Sequence, residues 1–430
     1  MNVFLFKTQA FLEANHFDRI AKNIKDKAKN MNILTINSGS TSIKFKLYKM
    51  PEEGVIASGK IENIGFDKSL ISFKTNLESV NLDDIRIADH KAGLNFIIDK
   101  LTDSKTGVIK DKKEIYAVGH RIVNVGDRVS SHVVINSQMV ETLRECIDLA
   151  PLHNPPNLTG MEVSIDVFGK GTINVGVFDN IFHKNMPPKA FLYGIPYDYY
   201  EKYRIRKYGF HGIAYTYMVE KGAAMIGKDL KNIKIIVMML GGGSSITAVK
   251  NGISVDTSMG FTPVEGLIMS TRSGDMDPAI LTYLMNKENT GAKEMDNMIN
   301  KKSGVLGLSK KYSDFVSIQK GVRENDPGCI RAFESYCYRI KKYIGSYAAI
   351  MDGVDLIIFG GGIGENSPMA REKILADLSV LGISLEKEIN NNDSLGERLI
   401  SSASSKVPVC IVKVDEELII ARETYSLVKS

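Results

Sequence analysis

Apolar, β-branched positions run from Ile33 to Ile36, break at Asn37-Ser38-Gly39-Ser40-Thr41-Ser42, and resume in alternation from Ile43 to Tyr48. An apolar run, a short polar stretch and a period of two predict a strand, a tight turn and a second strand. Near residue 240 the order recurs as "IKIIVMML", "GGGSS" and "ITAVK". The pattern predicts strands over 33–37, 43–48, 54–60, 115–119, 173–177, 234–240, 245–249, 355–359 and 408–412. Helical spacing marks 91–102, 138–149, 215–226, 277–286, 329–350, 369–380 and 416–428. The longest of these, 329–350, lies far along the chain from the two polar turns. Alternating strands and helices argue for α/β layers. Two hairpins with hydroxyl- and glycine-rich tips, one in each half, predict two similar lobes facing one cleft. Each tip offers backbone N–H groups and hydroxyls to an anion.

The first tip reads as phosphate-facing. Gly39 permits a bend at positive φ, Ser40, Thr41 and Ser42 supply donors, and Lys44 supplies charge. A third glycine cluster, "IIFGGGIGENS" over 357–367, follows an apolar strand and precedes a helix expected from Pro368. It is not the dinucleotide fingerprint, because Glu365 stands where the last glycine belongs. No GxxxxGK[ST] occurs, so a P-loop is excluded. Bare backbone at this junction suits a flat ring.

Composition changes the picture little. A chain of 430 residues is long enough for two or three domains. The net charge of +5 is spread over that length, and no basic stripe is interleaved with aromatics. No apolar run approaches the roughly 18 residues that span a bilayer. Neither nucleic acid nor membrane is expected as a partner. Cys146, Cys329, Cys337 and Cys410 form no CxxC and no zinc spacing, which fits free thiols in a reducing cytoplasm. Residues 1–30 stand apart as an extension. Either the start codon is placed ahead of a true first residue at Met31, or Phe17, Ile20, Ala21 and Ile24 mark a flexible amphipathic helix.

Candidate chemistry lies on several short segments. "GHRIV" puts Arg121 in a strand, and "STRSGDMDP" puts Arg272 in a long irregular stretch beginning near Asp256. Arginine suits multidentate recognition of carboxylate and phosphate. "VGVFDNIFHKNMP" carries Asp179 just after an apolar strand, where α/β proteins place their chemistry. "YGFHGIAY" sets His211 between Phe210 and Gly212, and "APLHNPPN" sets His153 before two prolines, read as a rigid turn. Asp415, Glu416 and Glu417 open the last helix, as acidic residues favoured by the helix dipole do.

Taken in order, "INSGSTSIKF", "GHRIV", "APLHNPPNL", "VFDNIFHKNMP", "RKYGFHG", "VDTSMGFTPVEGLIMSTRSGDMDP", "GGIGENS" and "EELIIAR" resemble the acetate and propionate kinase family, from Met31 to about Arg422. The resemblance implies two actin-like (ribonuclease H-like) lobes with a duplicated core. Residues 31–180 plus 415–430 would form the N-terminal lobe, and 181–414 the C-terminal lobe carrying the adenosine loop. It implies reversible phosphoryl transfer between ATP and acetate or propionate in the cleft, with Mg²⁺ or Mn²⁺, by a homodimer. It also assigns roles. Arg121, Asp179, His211 and Arg272 would be catalytic. Arg121, Val123, Leu152, Phe210 and Pro263 would hold the substrate. Lys44, Gly241, Gly243, Ser244, Gly362, Ile363, Gly364 and Asn366 would meet the nucleotide, and Asn37 and Glu416 the metal.

The departures concern the nucleotide. Where the family writes His-Leu-Gly-Asn-Gly, this chain has Met239-Leu240-Gly241-Gly242-Gly243. Its Asn124-Val125-Gly126 replaces His-Gly-Gly, and its Ile213-Ala214-Tyr215 replaces Thr-Ser-His. Only backbone amides and the Ser244 and Ser245 hydroxyls would then remain for the phosphates. Two alternatives follow: a kinase of the same class using pyrophosphate, and a catalytically weak nucleotide-binding protein that works by lobe closure. The adenosine loop argues against the first, and retention of Arg121, Asp179, His211 and Arg272 against the second.

Overall fold

The computed structural model describes residues 30–150, 153–169 and 171–429. The expected amphipathic helix and the substrate role expected of Leu152 fall outside them. The first sheet is built from β1 (Met31–Gly39), β2 (Ser42–Met50), β3 (Gly54–Glu62), β4 (Ser69–Thr75), β5 (Ser79–Ile85), β6 (Ile115–Ile122), β7 (Val133–Val134) and β8 (Ile173–Phe178). Its order is β5-β4-β3-β2-β1-β6-β8-β7. The second contains β9 (Lys234–Leu240), β10 (Ser244–Lys250), β11 (Ile253–Thr257), β12 (Leu356–Gly360), β13 (Arg398–Leu399) and β14 (Val409–Ile411), ordered β11-β10-β9-β12-β14-β13. In the first, β3-β2-β1 is antiparallel and β1-β6-β8 parallel. In the second, β11-β10-β9 is antiparallel and β9-β12-β14 parallel. The two sheets repeat one motif, the duplicated core of an actin-like fold.

Helices α1 (His90–Leu101), α2 (Ser137–Glu145), α3 (Asn154–Phe168), α4 (Gly212–Met225), α5 (Ala279–Glu288), α6 (Pro327–Met351), α7 (Gly361–Asn366), α8 (Pro368–Leu375) and α9 (Glu416–Val428) complete the frame used below. In the first lobe, Ile97 and Leu101 of α1 bury against Leu34, Phe45 and Val118. In the second, Phe333, Tyr336 and Ile340 of α6 bury against Ile236, Met238 and Ile357. Each such side chain contributes about 1.5–3 kcal/mol of burial. Helices α4 and α9 lie between the sheets. Met218 and Val219 pack on Ile235 and Val237 of the second sheet, while Ile213, Ile419 and Ile420 pack on Val175 and Val177 of the first.

Three local expectations are corrected. The His153–Asn157 stretch is not a rigid turn but the entry to α3, with both prolines in its first turn, where a missing N–H breaks no intrahelical bond. Gly39 does not adopt a positive φ. It ends β1, and a Cβ there would lie 2.7 Å from the Ser42 hydroxyl. The "GGIGEN" junction is itself helical as α7. Gly361, at φ +75°, crosses so close to β9 that a Cβ would lie 2.6 Å from the Leu240 carbonyl. Among the described residues, no helix is long and apolar enough to cross a membrane.

Candidate active site

Strands β1, β6 and β8 run parallel, and around their C-terminal ends stand Asn37, Arg121 and Asp179. Asp179 is fully buried, and its Oδ2 accepts from Arg121 Nε at 3.1 Å and Nη2 at 2.8 Å. Arg121 Nη1 donates to Glu416 Oε2 at 3.1 Å, joining the first sheet to α9. Burial opposes the Arg121 charge, but the two carboxylates outweigh it and hold the guanidinium more firmly protonated than usual. Glu416 is pushed upward by burial, which Arg121 only partly offsets.

His211 sits at φ 60°, ψ 21°, immediately before α4. This left-handed conformation is costly for a residue with a Cβ and persists where neighbours fix it. Gly212 allows the approach: a Cβ there would lie 1.9 Å from the Asp179 carbonyl. From the other side, His183 Nε2 lies 3.0 Å from the Phe210 carbonyl, and its Nδ1 2.8 Å from Ser254 Oγ. A carbonyl only accepts, so Nε2 donates and Nδ1 takes the serine proton. Burial, Arg121 and Arg272 together push the His211 pKa well below 6.5, so the ring is neutral.

The second lobe supplies Arg272. Its turn is pinned where Ser270 N donates to the Gly242 carbonyl at 3.1 Å and Met269 N to the Arg272 carbonyl at 3.1 Å. Arg272 Nη1 donates to the Pro263 carbonyl at 3.4 Å. Among the described residues no carboxylate pairs with it, and burial lowers its pKa. A Cβ on Gly243 would stand 3.6 Å from Arg272 Nη1 and 3.8 Å from His211 Nε2, so these groups converge on the β9–β10 tip.

Asn37, Arg121, Val123, Asp179, Phe210, His211, Gly243, Pro263 and Arg272, all singled out from sequence, line one cavity of about 210 Å³. Val123, Phe210 and Met259 belong to one buried apolar cluster at this place. Sequence reasoning missed Met259 and Asn157, which also line the cavity. Asn157 Nδ2 donates to the Ser38 carbonyl at 3.0 Å and its Oδ1 accepts from Val123 N at 3.1 Å, tying the first tip to the pocket wall. Its signal was hidden in a stretch that reads as a turn. His153, also in the lining, has its pKa lowered to about 4 by burial and by Arg272 and Arg121.

Other candidates lie outside the cavity lining. Lys44 is half-exposed and paired with buried Glu417 at 2.8 Å. Glu416 stands behind Arg121. The Ser244 hydroxyl, expected on phosphate, is fully buried; it donates to the Gly241 carbonyl at 3.0 Å and lies 3.1 Å from the Tyr336 hydroxyl. Helix α6 thus reaches the loop from which its sequence position is remote. Gly362 and Asn366 are exposed, Ile363 half-buried and Gly364 buried on α7. Gly362 N lies 4.0 Å from where a Cβ on Gly241 would stand, so the two glycine loops adjoin. Buried Arg371 of α8 donates to the Gly364 and Glu365 carbonyls, fixing the end of α7.

The acetokinase family model matches residues 32–422. The acetate kinase of Thermosipho melanesiensis is 49% identical over 401 residues, 93% of this chain and 98% of that protein. The acetate kinase of Thermotoga maritima is 47% identical over 401 residues, 93% and 99% of the two chains. The crystal structure of Porphyromonas gingivalis acetate kinase superimposes with a TM-score of 0.85 at 41% identity, covering 93% of this chain and all of the other (100%). A propionate kinase from Francisella tularensis gives 0.85 at 35% identity, over 92% and 100%.

Proposed function

The chain belongs to the acetokinase family, and from that premise we infer reversible phosphoryl transfer between ATP and a short carboxylate, acetate or propionate, giving ADP and the acyl phosphate. The observation that carries this reading is the convergence of Arg121, Arg272 and His211 on a small cavity with an apolar end. A carboxylate substrate is ionised at neutral pH and needs no base. The work left to the protein is alignment and charge neutralisation. Arg121, oriented by Asp179, suits the carboxylate; Arg272, which has no acidic partner among the described residues, suits the transferring phosphoryl group. Val123, Phe210, Met259 and Pro263 suit the alkyl end.

The nucleotide loops would be Gly241–Gly243 for the phosphates and Gly362, Ile363, Gly364 and Asn366 for the adenosine. Lys44 stands on β2 opposite Asn37, with its ammonium paired to Glu417. Mg²⁺ or Mn²⁺ would be carried by the phosphates and held by Asn37 and Glu416, supplying charge neutralisation. One carboxylate and one amide oxygen suit a Mg²⁺ that takes most of its ligands from phosphate oxygens and water: Asn37 lines the cavity and Glu416 stands behind Arg121.

We divide the chain into lobes at 31–180 plus 415–430 and 181–414, and place it in the cytoplasm, where four buried free thiols stay reduced. A homodimer is supported by α5, which buries no residue although Ile280, Leu281, Tyr283, Leu284 and Met285 lie on it. A monomer by light scattering at working concentration would exclude that assembly. Coupled assay of acetate, propionate and butyrate with ATP or pyrophosphate tests the activity: turnover with ATP is expected, and turnover with pyrophosphate alone would overturn the choice of donor.

A further inference from the structure

His211 is not held by its backbone alone. Its Nδ1 lies 2.8 Å from Ser245 Oγ, and the same hydroxyl is hydrogen-bonded to the Tyr215 phenol. Tyr215 is one turn along α4 from His211, and Ser245 lies on β10 beside the glycine tip. Tyr215 and Ser245 are both fully buried, whereas His211 reaches the cavity. Phenol, hydroxyl and imidazole form a line leading from the core of the second lobe to the reacting centre.

We propose that Tyr215 and Ser245 are positioning residues that fix His211 as the Nε2–H tautomer, so that its exposed nitrogen donates to a phosphoryl oxygen. This rests on the phosphoryl-transfer reading of the cavity. The direction of the line follows from relative acidity. The phenol is the strongest acid of the three groups and the imidazole nitrogen the strongest base, so donation runs from Tyr215 to Ser245 to Nδ1. An Nδ1 that accepts leaves the proton of a neutral ring on Nε2. Arg121 and Arg272 beside the ring, with burial, keep it neutral. Phosphoryl oxygens only accept, so a lone pair on Nε2 would repel them. The assignment also explains why the Ser245 hydroxyl, expected to bind phosphate, is turned inward: both its neighbours belong to the line.

The test is the ¹⁵N imidazole spectrum of the full-length protein, whose seven histidines give few signals. The His211 signals are identified by their loss in His211→Asn. The wild type is expected to show Nε2–H for His211. Ser245→Ala should shift the ring toward Nδ1–H or a mixture, and Ser245→Thr should restore it. Tyr215→Phe, which keeps the ring and its packing, should move it part of the way. With these shifts kcat should fall about tenfold, the worth of one hydrogen bond, while KM for acetate stays within twofold. A wild-type His211 found as Nδ1–H, or a tautomer unmoved in Tyr215→Phe and Ser245→Ala alike, overturns the proposal. An Nε2–H ring in a protein without acetate-dependent turnover would leave the line standing and overturn the proposed function instead.

Discussion

Asp179 holds Arg121 through a single oxygen, Oδ2, and leaves Oδ1 to accept the Ile213 N–H at 3.3 Å at the start of α4. One carboxylate thus ties the arginine of the first sheet to a helix packed on both lobes. Arg121→Ala should lower kcat by about 3 kcal/mol, on the order of a hundredfold. Asp179→Asn keeps an acceptor for Ile213 but removes the charge, so it should cost a similar factor by misplacing Arg121. The double variant should be no worse than about threefold below either single one, because the two act as a unit. Steady-state kinetics on all three decides it; additive losses would separate the residues.

Much of this arrangement was legible in the sequence, and what was not has physical reasons. β1, β8, β9 and β12 are largely buried on both faces and read as mostly apolar runs. β5, "SVNLDDI", has only scattered apolar positions on an exposed edge, so nothing marks it. α3 was hidden because Pro155 and Pro156 read as breakers, although they are tolerated in a first helical turn. Arg121, Asp179, His211 and Arg272 were legible through the family resemblance of "GHRIV", "VFDNIFHKNMP", "RKYGFHG" and "STRSGDMDP", since each residue alone also suits an ion pair, a cap or a core. Asn157 was not legible, since it works through contacts distant in sequence, and Ser245, read as a phosphate donor, turns inward to His211 and Tyr215. Ser244 was misread for the same reason: a hydroxyl in a glycine loop looks free until Tyr336 is seen against it.

The β9–β10 loop, proposed to meet the nucleotide phosphates, carries the second prediction. Met239 packs against the apolar cluster around α4, Gly242 lacks a side chain, and both serine hydroxyls are committed elsewhere. Gly241 N is also engaged, with the Gly243 carbonyl at 3.1 Å. Few donors remain for phosphate. Met239→His with Gly242→Asn should therefore tighten the KM for ATP about tenfold or more, one charged hydrogen bond being worth about 1.5–3 kcal/mol. The preference among carboxylates should not change. An ATP titration at saturating acetate that gives the same KM for both proteins rejects this.

Stability should depend on pH through buried histidines. His120 and His183 have pKa values lowered to about 4, chiefly by burial. The folded values lie below the unfolded one near 6.5, so between these the unfolded chain binds more protons. Stability is intact above about pH 6.5 and falls as pH drops, by about 2 kcal/mol at pH 5 for each of these two rings. Urea unfolding at pH 7 and pH 5 should show the loss, and His120→Gln should reduce it. Equal stability at the two pH values contradicts the assignment.

If the apolar end of the cavity receives the alkyl group, Val123, Phe210, Met259 and Pro263 should admit acyl groups of two and three carbons, with four poor. One methylene changes binding by only about 1–3 kcal/mol, so acetate and propionate should differ modestly. Met259→Ala should raise kcat/KM for butyrate about tenfold with little effect on acetate. A wild-type preference for butyrate would mean that these residues do not form the alkyl pocket.

Arg272 is the group through which the central claim is tested most directly. Purified protein is incubated with ATP, Mg²⁺ and acetate, and acetyl phosphate and ADP are quantified together, for the wild type and for Arg272→Ala. The wild type should form the two products in equal amounts, and the variant should lose about a hundredfold or more in kcat while remaining folded. Release of ADP without acetyl phosphate, or a folded Arg272→Ala with wild-type turnover, would contradict the account.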